Sequence, residues 1–223
     1  MPRTTPRLSV LASHLGLPAE PSHCPTPTPH PTAAAATSKL RVAVAGCHRQ
    51  TTQPLAGHNF SSALAVNPDV EVVGVFDHGA ATRAAYVDCW GETWPGLAAF
   101  ESFDELMGTE PDIVVIAARQ TMHADFVERA VAAGAKGLLV DKPLCTSLEE
   151  ADRIAAACEG SGVPLLYALD RRWNAAWGYL RQAVADGMVG EVRAASCYGV
   201  SNTVNHGCHY TDLILGQIGR AHV

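Results

Sequence analysis

Short apolar runs recur along the chain, with helical patterns between them. Arg41–Gly46 (RVAVAG), Val70–Phe76, Asp112–Ala118 (DIVVIAA), Gly137–Pro143 (GLLVDKP) and Val163–Leu169 have the length and content of strands. The GLLV run shows no polar alternation, as expected of a strand covered on both faces. A short helix is predicted from His58 to Asn67, stopped by Pro68, and another over Ala80–Trp90. Ser102-Phe-Asp-Glu105 reads as a capping box opening a third helix. Thr121 is placed to cap a fourth, with Phe126, Val127, Ala130 and Val131 on its inner face and Gly134 closing it. Ser147-Leu-Glu-Glu150 is a second capping box, and Leu148, Ala151, Ile154, Ala155 and Cys158 line one face of the helix it opens. Strands alternating with helices of this length predict an α/β domain over 39–170, built on a doubly wound parallel sheet.

The texture changes after Asp170. A helix is predicted over Trp173–Asp186, a turn at Gly187 and Gly190, and an antiparallel strand over Glu191–Val200. NHGCHYTDLILG reads as a loop running into a helix, so residues 171–217 look like the opening of a second domain. Residues 1–38 carry eight of the 14 prolines and are expected to be a disordered leader. Arg3, Arg7 and the lone acid Glu20 leave a transit peptide, an upstream start codon or a plain tail open. IGRAHV at 218–223 is one reading frame of a common sequencing adapter, and the natural protein is expected to continue past Gln217.

Composition narrows the function classes. Hydrophobic content of 48% with 17% charged residues indicates a globular chain with ample core. A net charge of −6 argues against nucleic acid or a membrane surface as the main partner, and no run is long enough to span a bilayer. The seven cysteines form no CxxC, which suits reduced thiols in a cytoplasmic setting.

Four places carry candidate chemistry. Lys142 ends a buried parallel strand, at the sheet edge where α/β folds bind ligands; the competing reading is a surface lysine in a βα loop. Gly46 ends the first strand, where a dinucleotide site needs close backbone approach, but G-x-G-x-x-G is replaced by Gly46-Cys-His-Arg-Gln-Thr-Thr. His48, Arg49, Thr51 and Thr52 could offer charge and hydroxyls to a phosphate. Asp77 ends the second strand, placed to accept both ribose hydroxyls of an adenosine or, alternatively, to cap a helix. Its charge favours NAD over NADP, with Arg83 nearby to soften that preference. In His206-Gly-Cys-His209, His209 and Asp212 share a helical face, and such a histidine can take a proton from a hydroxyl. The spacing suits zinc poorly, so no metal site is expected; a structural histidine pair is the other reading.

Taken together, these motifs resemble the glucose–fructose oxidoreductase/inositol dehydrogenase/MocA family over about residues 39–217. DKP at 141–143 resembles the family's E-K-P. ARQTMH at 118–123 falls where the family has a cofactor-lining turn, Gly190-Glu-Val192 where its second sheet starts, and NHGCHYTD on its D-x-G-x-H-x-x-D segment. The resemblance implies a Rossmann-type domain followed by the start of a truncated α+β substrate domain. It implies an NAD(P)-dependent oxidoreductase passing hydride between nicotinamide and a hydroxyl or keto carbon of a sugar, inositol or related polyol. NAD is the expected cofactor, with NADP the alternative. Lys142 would stabilise the reacting oxygen, His209 would be the acid/base, and Asn205 would stand where the family has an acid. Asp212 would hold a substrate hydroxyl, and Arg171, Arg172 and Trp173 would line the substrate pocket. Gly46, His48, Arg49, Asp77, Arg119, His123, Asp141 and Lys142 would bind the cofactor. A full-length homo-oligomer is expected, and the chain as it stands is expected to be inactive. A non-catalytic nucleotide-binding protein is the rival.

Overall fold

The computed structural model describes residues 38–51, 59–198 and 203–218, with side chains of the last helix described from 206 to 216. The chain divides into two compact units. Of the described residues, the first takes in 38–169 with 203–208, and the second 170–198 and 209–218; the expected leader, apart from residue 38, and the expected adapter-encoded tail, apart from residue 218, lie outside the described residues.

The first unit is a six-stranded sheet flanked by helices. Its elements are β1 (Leu40–Ala45), α1 (Phe60–Ala65), β2 (Val70–Phe76), α2 (Ala80–Trp90), β3 (Ala98–Phe100), α3 (Phe103–Met107), β4 (Ile113–Ile116), α4 (His123–Ala132), β5 (Gly137–Val140), α5 (Leu148–Ser161) and β6 (Leu165–Tyr167). All strand pairs are parallel, in the order β3-β2-β1-β4-β5-β6. This is the doubly wound Rossmann order. Successive residues of β1 explain the two-sided core. Val42 and Val44 face one cluster with Tyr86, Trp90 and Trp94, while Ala43 and Ala45 face the other with Phe76, Phe103 and Phe126. A strand whose two faces are both buried has no reason to alternate apolar with polar residues.

Local chemistry accounts for the helix starts. Ser102 with Glu105 and Ser147 with Glu150 form reciprocal capping boxes at α3 and α5. Thr121 does not cap α4. A 3₁₀ turn over Gln120–Met122 precedes the helix, whose N-cap Met122 makes no side-chain bond. Along α5, Ile154 is buried and Ala151 and Cys158 are half-buried, but Ala155 is exposed and Leu148 is 85% exposed. Leu148 is the first helical residue, and the helix's first turn is left open to solvent. β3 is a short edge strand of three apolar residues, Ala-Ala-Phe, below the length at which a run reads as a strand.

The second unit contains a 3₁₀ turn (Asp170–Trp173), α6 (Ala175–Ala185) and the greater part of α7 (Thr203–Ile218). Two expectations are corrected here. Residues 191–198 form no strand and are exposed throughout, because alternation cannot make a strand without a neighbour to take its backbone hydrogen bonds. The segment expected to enter α7 as a loop is helical from Thr203. Among the described residues no helix is long and apolar enough to cross a membrane.

Candidate active site

A cleft of about 720 Å³ opens in the first unit at the carboxyl ends of β1, β2, β4 and β5. β1 and β4 are neighbours in space, and the chain winds away from them in opposite directions. That switch in strand order is where open α/β sheets leave a crevice for ligand.

Gly46 sits at its floor. Its φ is +99°, and a Cβ there would lie 2.5 Å from the carbonyl carbon of Ala117 and the nitrogen of Ala118. Only glycine lets the ends of β1 and β4 come this close. Its N–H donates to the Phe76 carbonyl at 2.8 Å, tying the ends of β1 and β2 together.

Asp77 follows β2 and faces the cleft. Its Oδ2 accepts the Cys47 N–H at 2.9 Å and its Oδ1 the Gly79 N–H at 3.0 Å. The carboxylate is therefore oriented by two backbone donors, and lone pairs remain on both oxygens for a ligand's hydroxyls. The alternative reading of Asp77 as a helix cap is not met: Gly79 is the N-cap of α2, and no side chain caps that helix. Arg83 is engaged beside Asp77. It donates to the carbonyls of Asp77 (2.8 Å) and His78 (3.3 Å) and to Glu101 Oε1 (2.9 Å). Burial first, and then the Asp77 carboxylate, push the Cys47 thiol well above its ordinary pKa, so it stays protonated.

Exposed His48 and Arg49 line the cleft from the β1 side. Arg119 and Gln120 line it after β4, and Asp141, Lys142 and Pro143 after β5. Asp141 Oδ1 accepts the Lys142 N–H at 2.7 Å, and the Lys142–Pro143 peptide is cis. The structure thus gathers seven of the eight residues expected at the cofactor. His123 is the exception. It is 1% exposed and stands behind the cleft, with Nδ1 3.0 Å from the Leu144 carbonyl and Nε2 3.0 Å from the Ala118 carbonyl. A neutral imidazole carries one N–H, so it donates to one of the two. The ring is buried between the loops after β4 and β5 and is not among the residues lining the cleft.

Sequence reasoning missed Thr82, Gln120 and Met122, which also line the cleft. Gln120 and Met122 lie inside the ARQTMH turn, so their position was visible although their type gave no signal.

The substrate-side candidates His209, Asp212, Arg171, Arg172 and Trp173 lie on the second unit. His209 is 5% exposed, with Nδ1 3.6 Å from Asp170 Oδ1, an ion-pair distance when the ring is protonated. Asp212 and Arg172, expected separately against substrate, bind each other. The guanidinium grips both carboxylate oxygens, Nε to Oδ2 at 3.1 Å and a terminal nitrogen to Oδ1. A bidentate fork of this kind is the natural match of guanidinium to carboxylate. The Arg171 guanidinium lies 5.2 Å from the centre of the Tyr210 ring, and Trp173 is 74% exposed. The Asn205 side chain lies outside the described residues.

The family model for the oxidoreductase family with an NAD-binding Rossmann fold, named for glucose–fructose oxidoreductase, inositol dehydrogenase and MocA, matches residues 40–169. The chain belongs to this family. Among its relatives, a dTDP-3,4-didehydro-2,6-dideoxy-α-D-glucose 3-reductase of Streptomyces violaceoruber is 29% identical over 158 residues, 70% of this chain and 43% of the relative. The inositol 2-dehydrogenase of Rhizobium meliloti (strain 1021) is 27% identical over 136 residues, 61% of this chain and 39% of the relative. The chain therefore spans about two fifths of these relatives' lengths. The WlbA dehydrogenase of Bordetella pertussis, solved with NADH and UDP-GlcNAcA, has the same fold, with a TM-score of 0.63 at 20% identity over 82% of this chain and 56% of that one.

Proposed function

We propose that the chain carries the nucleotide-binding part of an NAD(P)-dependent oxidoreductase acting on a hydroxyl or keto carbon of a sugar, inositol or related polyol. The observation that supports it best is the Asp77 carboxylate, aimed by two backbone N–H groups into the same cleft that Lys142 lines. The cleft's volume is in the range of a small-molecule site. Its donor set also fits a dinucleotide, with an acceptor for ribose on β2 and cations beside β1.

Bound nicotinamide supplies the hydride acceptor or donor. The chain supplies the rest. Asp77 accepts hydrogen bonds from the adenosine ribose. Lys142 places positive charge beside the reacting oxygen, which lowers the energy of a developing alkoxide most in a site that excludes water. His209 takes the hydroxyl proton or returns it, and Asn205 supports its ring. The Asp212–Arg172 pair presents a fixed polar edge to substrate hydroxyls. Arg171 and Trp173 complete that lining. The whole protein works as a homo-oligomer in the cytoplasm.

Titration of the 223-residue chain with NADH, read by nicotinamide fluorescence, tests the cofactor assignment. Binding is expected, and Asp77→Ala weakens it. Absorbance at 340 nm with NAD and a panel of polyols tests catalysis in the whole protein, with loss of turnover expected in Lys142→Ala and His209→Ala, while the 223-residue chain is expected to bind NADH without turnover. A whole protein that binds NADH and oxidises no polyol is a non-catalytic nucleotide-binding protein.

A further inference from the structure

The loop after β1 lacks the glycines by which a dinucleotide fold usually lets backbone N–H groups meet a pyrophosphate. Its own architecture suggests what replaces them. The Gln50 N–H donates to the Cys47 carbonyl at 2.8 Å, closing a four-residue turn. The two central residues of that turn, His48 and Arg49, are exposed and line the cleft.

Gln50, the last residue of the turn, is 4% exposed and held from several directions. Its Oε1 accepts the Ser61 N–H at 3.1 Å and lies 3.4 Å from the Ser61 hydroxyl, which is itself 2.8 Å from the Tyr86 hydroxyl. Its carbonyl accepts the Trp90 indole N–H. The next carbonyl, of Thr51, takes the Cys89 thiol at 3.1 Å. One end of the turn is thus fastened to α1 and α2 by buried polar contacts, and the other to the sheet through the Cys47 N–H on Asp77.

The start of α1 is occupied by the chain itself. Gln50 takes the Ser61 N–H, and the Asn59 side chain takes the Ser62 N–H at 2.8 Å. These donors cannot also face a phosphate, and a six-residue helix has little dipole to offer.

We propose that this chain grips the cofactor's diphosphate with the side chains of His48 and Arg49, and that Gln50 is the positioning residue that aims them. This rests on the nucleotide-binding reading above and names how that site holds its most charged part. Charge-assisted contacts from Arg to phosphate oxygens are short and strong, and they weaken with salt.

Isothermal titration of the 223-residue chain with ADP-ribose and with adenosine separates the two claims. ADP-ribose is expected to bind about 10- to 100-fold tighter than adenosine, a margin that shrinks as salt rises. The double variant His48→Gln/Arg49→Gln, altered only at exposed positions, loses that margin and keeps its adenosine affinity. Gln50→Ala retains both cationic side chains yet also loses the margin, whereas a general loosening of the fold lowers both affinities together. Unfolding by circular dichroism identifies a Gln50→Ala chain too unstable to read, in which case Tyr86→Phe, at the far end of the same network, is titrated in its place. A double variant with the wild-type ratio overturns the proposal. So does an unmutated chain that binds the two ligands equally; if Asp77→Ala then removes adenosine binding, the nucleotide reading survives. A chain that binds neither ligand overturns both.

Discussion

Replacing Gly46 by alanine isolates the energetic role of close strand approach at the cleft floor. Gly46 and Gly134 both have positive φ, +99° and +89°, but a Cβ at Gly134 meets nothing within 4 Å. Backbone strain for an L-residue in this region is ~1–2 kcal/mol and applies to both sites. At Gly46 the added methyl also falls 2.5 to 2.6 Å from three backbone atoms of Ala117 and Ala118, and backbone in the middle of a sheet has little room to move. Overpacking of a tight interior costs a further ~1–3 kcal/mol. Gly46→Ala should therefore destabilise by ~2–5 kcal/mol, against ~1–2 kcal/mol for Gly134→Ala. That is a large part of the ~5–15 kcal/mol typical of a domain. Urea unfolding followed by tryptophan fluorescence measures both, with equal slopes expected because the same surface is exposed. If the two variants fall within ~0.5 kcal/mol of each other, the clash has been relieved by relaxation and the close-approach argument fails.

Three further outcomes follow from the geometry. The Asp112 carboxyl is held below its ordinary pKa, first by the Arg41 N–H at 2.9 Å and then by Lys136 at 2.6 Å. A lowered folded pKa means this contribution is present above the unfolded carboxyl's pKa and is lost as pH falls through the folded one. Acid unfolding of Asp112→Asn should show a shallower slope there than the unmutated chain, and an identical profile would remove Asp112 from the account. Cys47, buried and with its pKa raised, should resist iodoacetamide at pH 8 while exposed Cys197 is alkylated, as read by peptide mass spectrometry; prompt labelling of Cys47 in folded protein would contradict its burial. NADH should be preferred to NADPH, because Asp77 repels a 2′-phosphate and Arg83 is held by Glu101 and two carbonyls. Asp77→Ala should cut that preference about 10- to 100-fold in fluorescence titrations, and an unchanged ratio would move the ribose site elsewhere.

The sheet was readable because its chemistry is local. β-branched runs such as VAVA and DIVVI can hardly be anything but buried strand, and the two Ser-x-x-Glu boxes mark α3 and α5 to the residue. Gly46, Asp77, Asp141 and Lys142 were visible as strand-end residues, since strand ends are where the fold puts its site. What sequence could not supply was the partner of each side chain. Glu191–Tyr198 alternates as a strand should, yet pairs with no strand among the described residues. Leu148 has the right helical phase but no surface to meet. Asp212 and Arg172 are forty positions apart, and nothing in either residue announces that they hold each other. Gln50 looked like one more polar loop residue, because its weight comes from Ser61, Tyr86 and Trp90, which only folding brings to it.

His123 stands buried between the two far lips of the cleft. A single rigid ring reaches from the Ala118 carbonyl on one lip to the Leu144 carbonyl on the other. Arg119 adjoins the first anchor and Lys142 lies two residues before the second. In a close-packed interior neither lip can move far without displacing that buried ring, so the cleft's width on this side is set by the size of one side chain.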